Sequence, residues 1–476
     1  MTNLKKILHM PAMDSSVNTH ESVLELLIDE RILVDRLIKA GQVVYGANTL
    51  VGHKDGKAAD PGSLLNEILK SHLIGFGVSH TAREVAFIAR ARILSWQAGG
   101  TGVSPETYLA FCEHVESMES AVIPKECSYS SGDVIPATHL LDHFLRTADY
   151  HASFPSTDIM PFINGNFVQL GYCASIIAAI DDVWLDFSFN SANTAVISQS
   201  NPSNFSVLAA AESNLKDLMG FFSQINTCDK PIQDPISIRG TGQYLSNYFN
   251  EAMRYLDVLG KLLSVPSGNP LFIDGYGASA SQASFLALDL SSALLSMINA
   301  TKMLLSVIVN RTSFILSGDL EHIPQDMSMQ PNELGLIQIP KLLMSIDEKV
   351  SLRMPPASAY SAKSTSNGIE DMWNNGQPLA NILNELLTEV KSALLIERYV
   401  HIYIAHNIPS MAAAMDKMRE DAGLSFFHEQ SRLFHGQCPL TVLEDGLAAF
   451  IENNLFQSPG SLDDVFSLHS IQNKYI

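Results

Sequence analysis

Charged residues are scarce in this chain: only 17% of its 476 residues are Asp, Glu, Lys or Arg, against 46% hydrophobic. So few ionic side chains cannot cover a large surface, which favours an oligomer with much of that surface hidden. Basic residues are the scarcer sign, 30 against 50 acidic, and nowhere cluster. Phosphate-neutralising contacts need clustered Lys and Arg, so a nucleic-acid partner is not expected. Cysteine is rare and odd in number: Cys112, Cys127, Cys173, Cys228 and Cys438 are widely spaced among apolar residues, which excludes a disulfide framework. They read as reduced core thiols of a cytoplasmic protein. The opening MTNLKKILHMPAMDSS lacks the long apolar segment and small-residue cleavage site of a secretory signal. An unbroken apolar run is missing too. The nearest approach, Leu290 to Val309, is interrupted by Asn299, Lys302 and several serines and predicts a buried helix, so no membrane partner is expected. There is no internal repeat or low-complexity tract.

What is present is helical periodicity over most of the length. Ile382, Leu383, Leu386, Leu387, Val390 and Leu394 form one stripe after Pro378, a residue tolerated in a first helical turn. Strand-like alternation is confined to Val43–Tyr45 and Pro270–Ile273, too little for a central sheet. A mainly α protein is expected, a bundle of long helices with its functional loops at one end. Turn-forming residues gather around 45–62, 124–136, 230–242 and 355–378, and function is sought there. Three consecutive regions are expected: 1–200 carrying the first two loops, 201–410 the long-helix bundle, and 411–476 a C-terminal helical segment.

Each loop carries residues capable of chemistry. CSYSSGDVIPATH contains Ser130, Ser131, Gly132 and Asp133; by itself a Ser-Gly pair before Asp is a turn that caps the next helix. VVYGANTLVG places Tyr45 at a strand end, where an aromatic plug is the plainer reading. LLNEILKSHLIGFG carries His72, PFINGNFVQLGY carries Asn164, and KPIQDPISIRGTGQ carries Gln233 and Arg239. The Ser- and Pro-rich stretch before IEDMW leads to Glu370, otherwise an ordinary acid at a helix start. His139 and His143, four apart on a helix, raise a metal hydrolase reading, but no third ligand motif accompanies them and no metal is expected.

Taken in order from Tyr45 to Asn375, these segments resemble the histidine/phenylalanine ammonia-lyase family. They look like its Tyr-Gly-x-Asn-Thr loop, Ser-His-x-x-Gly-x-Gly helix, Ala-Ser-Gly-Asp motif, Asn-Gly-Thr stretch, Gln-Asp-Pro-Tyr-Ser-x-Arg loop and Gln-Glu-Asp segment. The resemblance implies a fumarase/aspartase-like helical bundle and a 4-methylidene-imidazol-5-one made from Ser130, Ser131 and Gly132. In that reading Gly132, lacking a β-carbon, folds its nitrogen onto the Ser130 carbonyl, and Ser131 loses its hydroxyl. The substrate amine then adds to the methylidene while Tyr45, with Glu370 nearby, removes a β-proton. Helix N-termini pointing inward would lower the tyrosine pKa. Arg239 and Gln233 hold the carboxylate, Asn164 lies beside the ring, and His72 contacts substrate as in histidine lyases. The family's shared sites imply a homotetramer. Departures from the pattern are Ser130 for Ala, Leu50 for Gly, Asn166 and Phe167 for Thr and Gln, Ile236 for Tyr, and a bulkier approach at Glu126–Tyr129. Ammonia elimination is expected, giving an unsaturated acid from a histidine-like or other polar or aromatic amino acid. The alternatives are a 2,3-aminomutase using the same electrophile and a ring-free binding protein.

Overall fold

The computed structural model describes residues 17–127, 129, 132–206, 215–225, 233–273, 282–354 and 360–418. Ser130, Ser131, Cys228, Cys438 and most of the expected C-terminal segment lie outside these. The expected mainly helical architecture is the one observed. In chain order come α1 (Val17–Lys39), α2 (Pro61–His72), β1 (Phe76–Ser79), α3 (Ala82–Gln97), α4 (Pro105–His114), β2 (Pro124–Glu126), α5 (Val134–Thr147) and α6 (Ile159–Ile163). They are followed by α7 (Phe167–Ile197), α8 (Lys216–Ile225), α9 (Ile236–Arg239), α10 (Thr241–Leu262), α11 (Leu288–Ile315), α12 (Ile339–Ser351), β3 (Tyr360–Thr365), β4 (Glu370–Asn374) and α13 (Gly376–Asn407). The chain divides into two compact units, each assembled from separated stretches: Met1–Ile177, Arg254–Leu295 and Pro355–Asn381 in one, and Ala178–Met253, Ser296–Met354 and Ile382–Ile476 in the other.

Strand content is small, as expected, but it lies elsewhere. Val43–Tyr45 and Pro270–Ile273 form no strands; instead β1 pairs antiparallel with β2, and β3 with β4. Two of the four segments read as loops therefore contain strands.

The first unit has an aromatic core. Trp96 on α3 meets Phe111 and Phe162 edge-on, with ring centroids 5.3 and 5.4 Å away, and its Nε1 donates to the Pro161 carbonyl at 2.9 Å. Edge-to-face packing of this kind adds to simple area burial. α3 starts at a capping box, with Thr81 and Glu84 each accepting the other's backbone N–H. α2 starts on the Asp60 side chain with Pro61 in its first turn. Cys112, Cys127 and Cys173 are free thiols, as expected.

The second unit is built on a buried polar network. The Arg311 guanidinium, fully buried, donates through Nε and Nη2 to the two oxygens of Glu397 at 2.5 and 2.7 Å, and through Nη1 to Ser191. Burial alone would raise the Glu397 pKa, but Arg311 outweighs it and holds the carboxyl below its usual range. Its stabilising effect is therefore present above the ordinary carboxylate pKa and lost as pH falls through the lower, folded value. Glu397→Leu strands a buried cation and is expected to lower the unfolding free energy by roughly 3–5 kcal/mol, read from urea denaturation.

Two stretches, Ser156–Ile197 and Ser284–Ile315, are long and apolar enough to cross a membrane, but 67% and 61% of their apolar windows are buried within the protein. They behave as core helices, the reading given to 290–309. Pro378 lies in the first turn of α13 as expected, and Leu383, Leu386, Leu387, Val390 and Leu394 are buried along it.

Candidate active site

The segment expected to carry the electrophile is preceded by a strand pair. Phe76 pairs with Glu126 and Ser79 with Pro124, so the glycine-containing exit from α2 is the partner of the chain entering Ser128–Ser131. This contact explains two glycines. Gly75 and Gly77 have φ of +149° and +78°, and a Cβ on either would come within 2.9 Å of Pro124 and Cys127, or of Glu126. Beyond the segment, Gly132 takes φ +81°, and a Cβ there would strike the Asn164 amide at 2.7 Å. The Gly165 N–H donates to the Gly132 carbonyl at 2.8 Å. Gly132 and Asn164, predicted to share the site, are thus in contact.

Asp133 follows the glycine. It precedes α5 but makes no side-chain cap to it. With φ +55° its buried carboxylate turns to the start of α7, accepting from Gln169 N at 3.1 Å and Gln169 Nε2 at 2.8 Å. Burial drives its pKa up to about 8, against these donors and the Arg92 charge.

Arg92 was not foreseen. Fully buried, it lies 4.9 Å from the Trp96 ring centroid and 4.5 Å from that of Phe167, and donates to the carbonyls of Asn164 and Pro161 at 3.2 and 2.6 Å. Phe167 is therefore a core residue stacked on a cation. The signal in sequence was a second arginine within ARARILSW, an apolar helix. The Asn164 Oδ1 and both amide atoms of Asn166 are buried without a hydrogen-bond partner. Buried amides ordinarily find partners, so these mark a polar group not supplied by the described residues. A polar heterocycle made from Ser130–Gly132 fits this setting: Gly132 has no room for a side chain beside the Asn164 amide, and the Asn164 oxygen can accept, and the amide of Asn166, nearby in sequence, can donate and accept, further hydrogen bonds.

The Tyr45 loop is stapled by its own motif. Asn48 Oδ1 accepts from Val44 N at 2.8 Å, its Nδ2 donates to the Gln42 carbonyl at 2.7 Å, and Thr49 Oγ1 accepts from Gly46 N at 3.1 Å. Gly46, at φ +67°, lies against Met160, where a Cβ has no space. Leu50, in place of the family's glycine, is not at positive φ and so causes no strain. The Tyr45 hydroxyl accepts from Gly52 N at 2.9 Å. Burial raises its pKa, opposed by that N–H and reinforced by the carboxylates of Glu370 and Asp55. This direction is the reverse of the lowering expected from helix termini. Glu370 opens β4, a correction to its reading at a helix start, and burial together with Asp371 raises its pKa.

His72 ends α2, and its Nδ1 faces the Ile68 carbonyl at 3.1 Å and Ser71 Oγ at 2.8 Å. Since only a donor satisfies a carbonyl, Nε2 is the acceptor nitrogen. Burial lowers the His72 pKa and favours the neutral ring. Gln233 and Arg239 belong to the second unit, whereas Tyr45, His72, Gly132, Asn164 and Glu370 belong to the first. Arg239 Nη1 donates to Gln233 Oε1 at 2.7 Å, and Asp234 fixes their loop by accepting from Asn201 N and Asn204 Nδ2 at 2.9 and 2.6 Å. Ile236 is exposed, and the Tyr244 hydroxyl, unnoticed in sequence, donates to its carbonyl at 3.1 Å. His139 and His143 face the separate carbonyls of Ile74 and Ser117, and among the described residues no three His, Cys, Asp or Glu side chains form a metal-binding group.

Residues 2–149 and 158–419 match the family described as aromatic amino acid lyase. A histidine ammonia-lyase of Caldanaerobacter subterraneus subsp. tengcongensis is 24% identical over 417 residues, 78% of this chain and 80% of that protein. Tyrosine aminomutase from Streptomyces globisporus has the same fold, with a TM-score of 0.76 at 14% identity over 94% of each chain. Ergothionase from Treponema denticola gives a TM-score of 0.75 at 15% identity, over 95% of this chain and 96% of that one. The expected all-α, fumarase/aspartase-like fold is the one these likenesses show. With a family match over most of its length, and the family's motifs placed as described, the chain belongs to the aromatic amino acid lyases.

Proposed function

We propose that this chain eliminates ammonia from an α-amino acid with a histidine-like or other polar or aromatic side chain, giving an α,β-unsaturated acid. The observation that carries this reading is the Gly132–Asn164 contact: a left-handed glycine with no space for a side chain, walled by an amide whose oxygen has no hydrogen-bond partner among the described residues. A ring formed from Ser130, Ser131 and Gly132 supplies an electrophilic carbon that makes the substrate amine a better leaving group. Tyr45 takes the β-proton at its hydroxyl, where the Gly52 N–H steadies the oxygen. Glu370 shares that field and anchors a polar substrate side chain, and the acceptor nitrogen of His72 contacts the same group. Arg239, held by Gln233, binds the substrate carboxylate through the rest of its planar fork. Asn164 holds developing charge beside the ring.

The active species is a cytoplasmic homotetramer whose sites draw on several subunits, consistent with the few charged residues available for surface; sedimentation of active protein as four chains checks it. The decisive experiment is intact mass, where the purified chain is expected to be lighter than its sequence by two waters. A full-mass chain would remove the lyase reading and leave a ring-free binding protein. Product analysis then separates the two catalytic outcomes: ammonia with an unsaturated acid, or the 2,3-aminomutase product, a β-amino acid. The fold shared with a tyrosine aminomutase makes the second outcome the reading to test against.

A further inference from the structure

The residues on either side of the Ser130–Gly132 tripeptide meet on one side-chain nitrogen. Gln169 Nε2 donates to the Tyr129 carbonyl at 2.7 Å and to Asp133 Oδ1 at 2.8 Å, while its backbone N–H reaches Asp133 Oδ2. One amide thus bridges the residue before the tripeptide and the residue after it. The bridge is itself fixed. Gln169 is fully buried in the first turn of α7, and Gly376 lies so close that a Cβ there would overlap Gln169 Oε1. The Tyr129 side chain is also anchored, its hydroxyl lying 3.1 Å from His80 Nε2 and 3.0 Å from the Pro124 carbonyl. His80 Nδ1 in turn faces Glu84 at 3.1 Å, and Lys125 holds Glu84 at 3.0 Å.

We infer that Gln169 is a positioning residue for ring formation, drawing the flanks of the tripeptide together so that the Gly132 nitrogen meets the Ser130 carbonyl carbon. The inference rests on the proposed reading of that tripeptide. The step forms one C–N bond; the Ser130 carbonyl oxygen leaves as water with the amide hydrogens of Gly132 and Ser131, and the Ser131 hydroxyl leaves with its α-hydrogen as a second water. No oxidant or reductant is required. Cyclisation orders several backbone dihedrals at once, and fixing the residues on both sides removes part of that entropic barrier. The device also gives a role to the bulky approach at Tyr129: the aromatic residue is a post to which the clamp attaches.

The test is Gln169→Met, similar in length but with no donor, with the dehydrated fraction of wild type and variant read by peptide mass at intervals after cell-free synthesis of the chain. Dehydration of the folded variant is expected to be slower by about tenfold or more, since two hydrogen bonds are lost. A merely structural role would lower Tm and leave the dehydration rate of folded molecules unchanged, and that result overturns the inference. If Gln169→Met does not fold, Gln169→Asn, whose amide is too short to reach both acceptors, carries the same test. A wild-type chain of full mass refutes the lyase reading and the clamp together, whereas a dehydrated wild type with an equally fast variant refutes the clamp alone.

Discussion

Replacing Tyr45 with phenylalanine is expected to lower kcat/KM by about 10²–10⁴-fold while leaving the two-water mass deficit unchanged. The phenol is half-buried in a loop folded by Asn48 and Thr49, and only its oxygen is lost in the variant, so the loop and the ring-forming segment keep their support. The direction of its pKa shift adds a second signature. A base must be deprotonated to act, and burial with Glu370 and Asp55 pushes the Tyr45 proton off only above its ordinary pKa. Wild-type activity should therefore rise with pH through neutrality into the alkaline range, and the small residual activity of Tyr45→Phe should lack that limb. The raised pKa has a compensating effect, since the phenolate that does form is a stronger base toward a weakly acidic β-proton. Steady-state rates of unsaturated-acid formation across pH provide the check. Full turnover in the phenylalanine variant would remove Tyr45 from the role.

How much of this was legible in sequence depended on how local the determinants were. The Tyr45 loop could be read because Asn48 and Thr49 bind backbone atoms within a few residues of themselves. The long helices could be read because their apolar stripes run for many turns, as along α13. Strands β1 and β2 were hidden by their brevity and orientation: Phe76 and Val78 are 74% and 71% exposed, so no buried face marked them. The β3–β4 pair was hidden in a Ser-rich stretch with turn-like composition. Gln169 and Arg92 were not recognised because their partners are backbone groups some 40 and 72 positions away, brought near only by the fold. The setting of Asp133 was hidden for the same reason, since its carboxylate accepts from α7 rather than from the helix it precedes.

On the proposed reading, Ser131 should be the least replaceable residue in the chain. Ser131→Ala keeps a β-carbon and the same backbone, so Gly132 retains its contact with Asn164 and the Gln169 bridge keeps its two acceptors. What disappears is the hydroxyl whose departure creates the electrophilic carbon. The variant is thus expected to show at most one water lost, by cyclisation alone, and never two. Enzymes of this power accelerate reactions by at least about 10⁶-fold, and without the electrophile the remaining binding and base catalysis should leave turnover down by about 10⁴-fold or more. Ser131→Cys differs in a useful way: its thiol can leave as hydrogen sulfide, so a chain lighter by one water and one hydrogen sulfide, with some activity regained, would tie function to elimination at this one carbon. Mass and rate measured on the same preparations make the comparison direct. An alanine variant that turned over as fast as the parent would show that the amine is activated by some other group, and the roles given to Asn164 and Gln169 would fall with it.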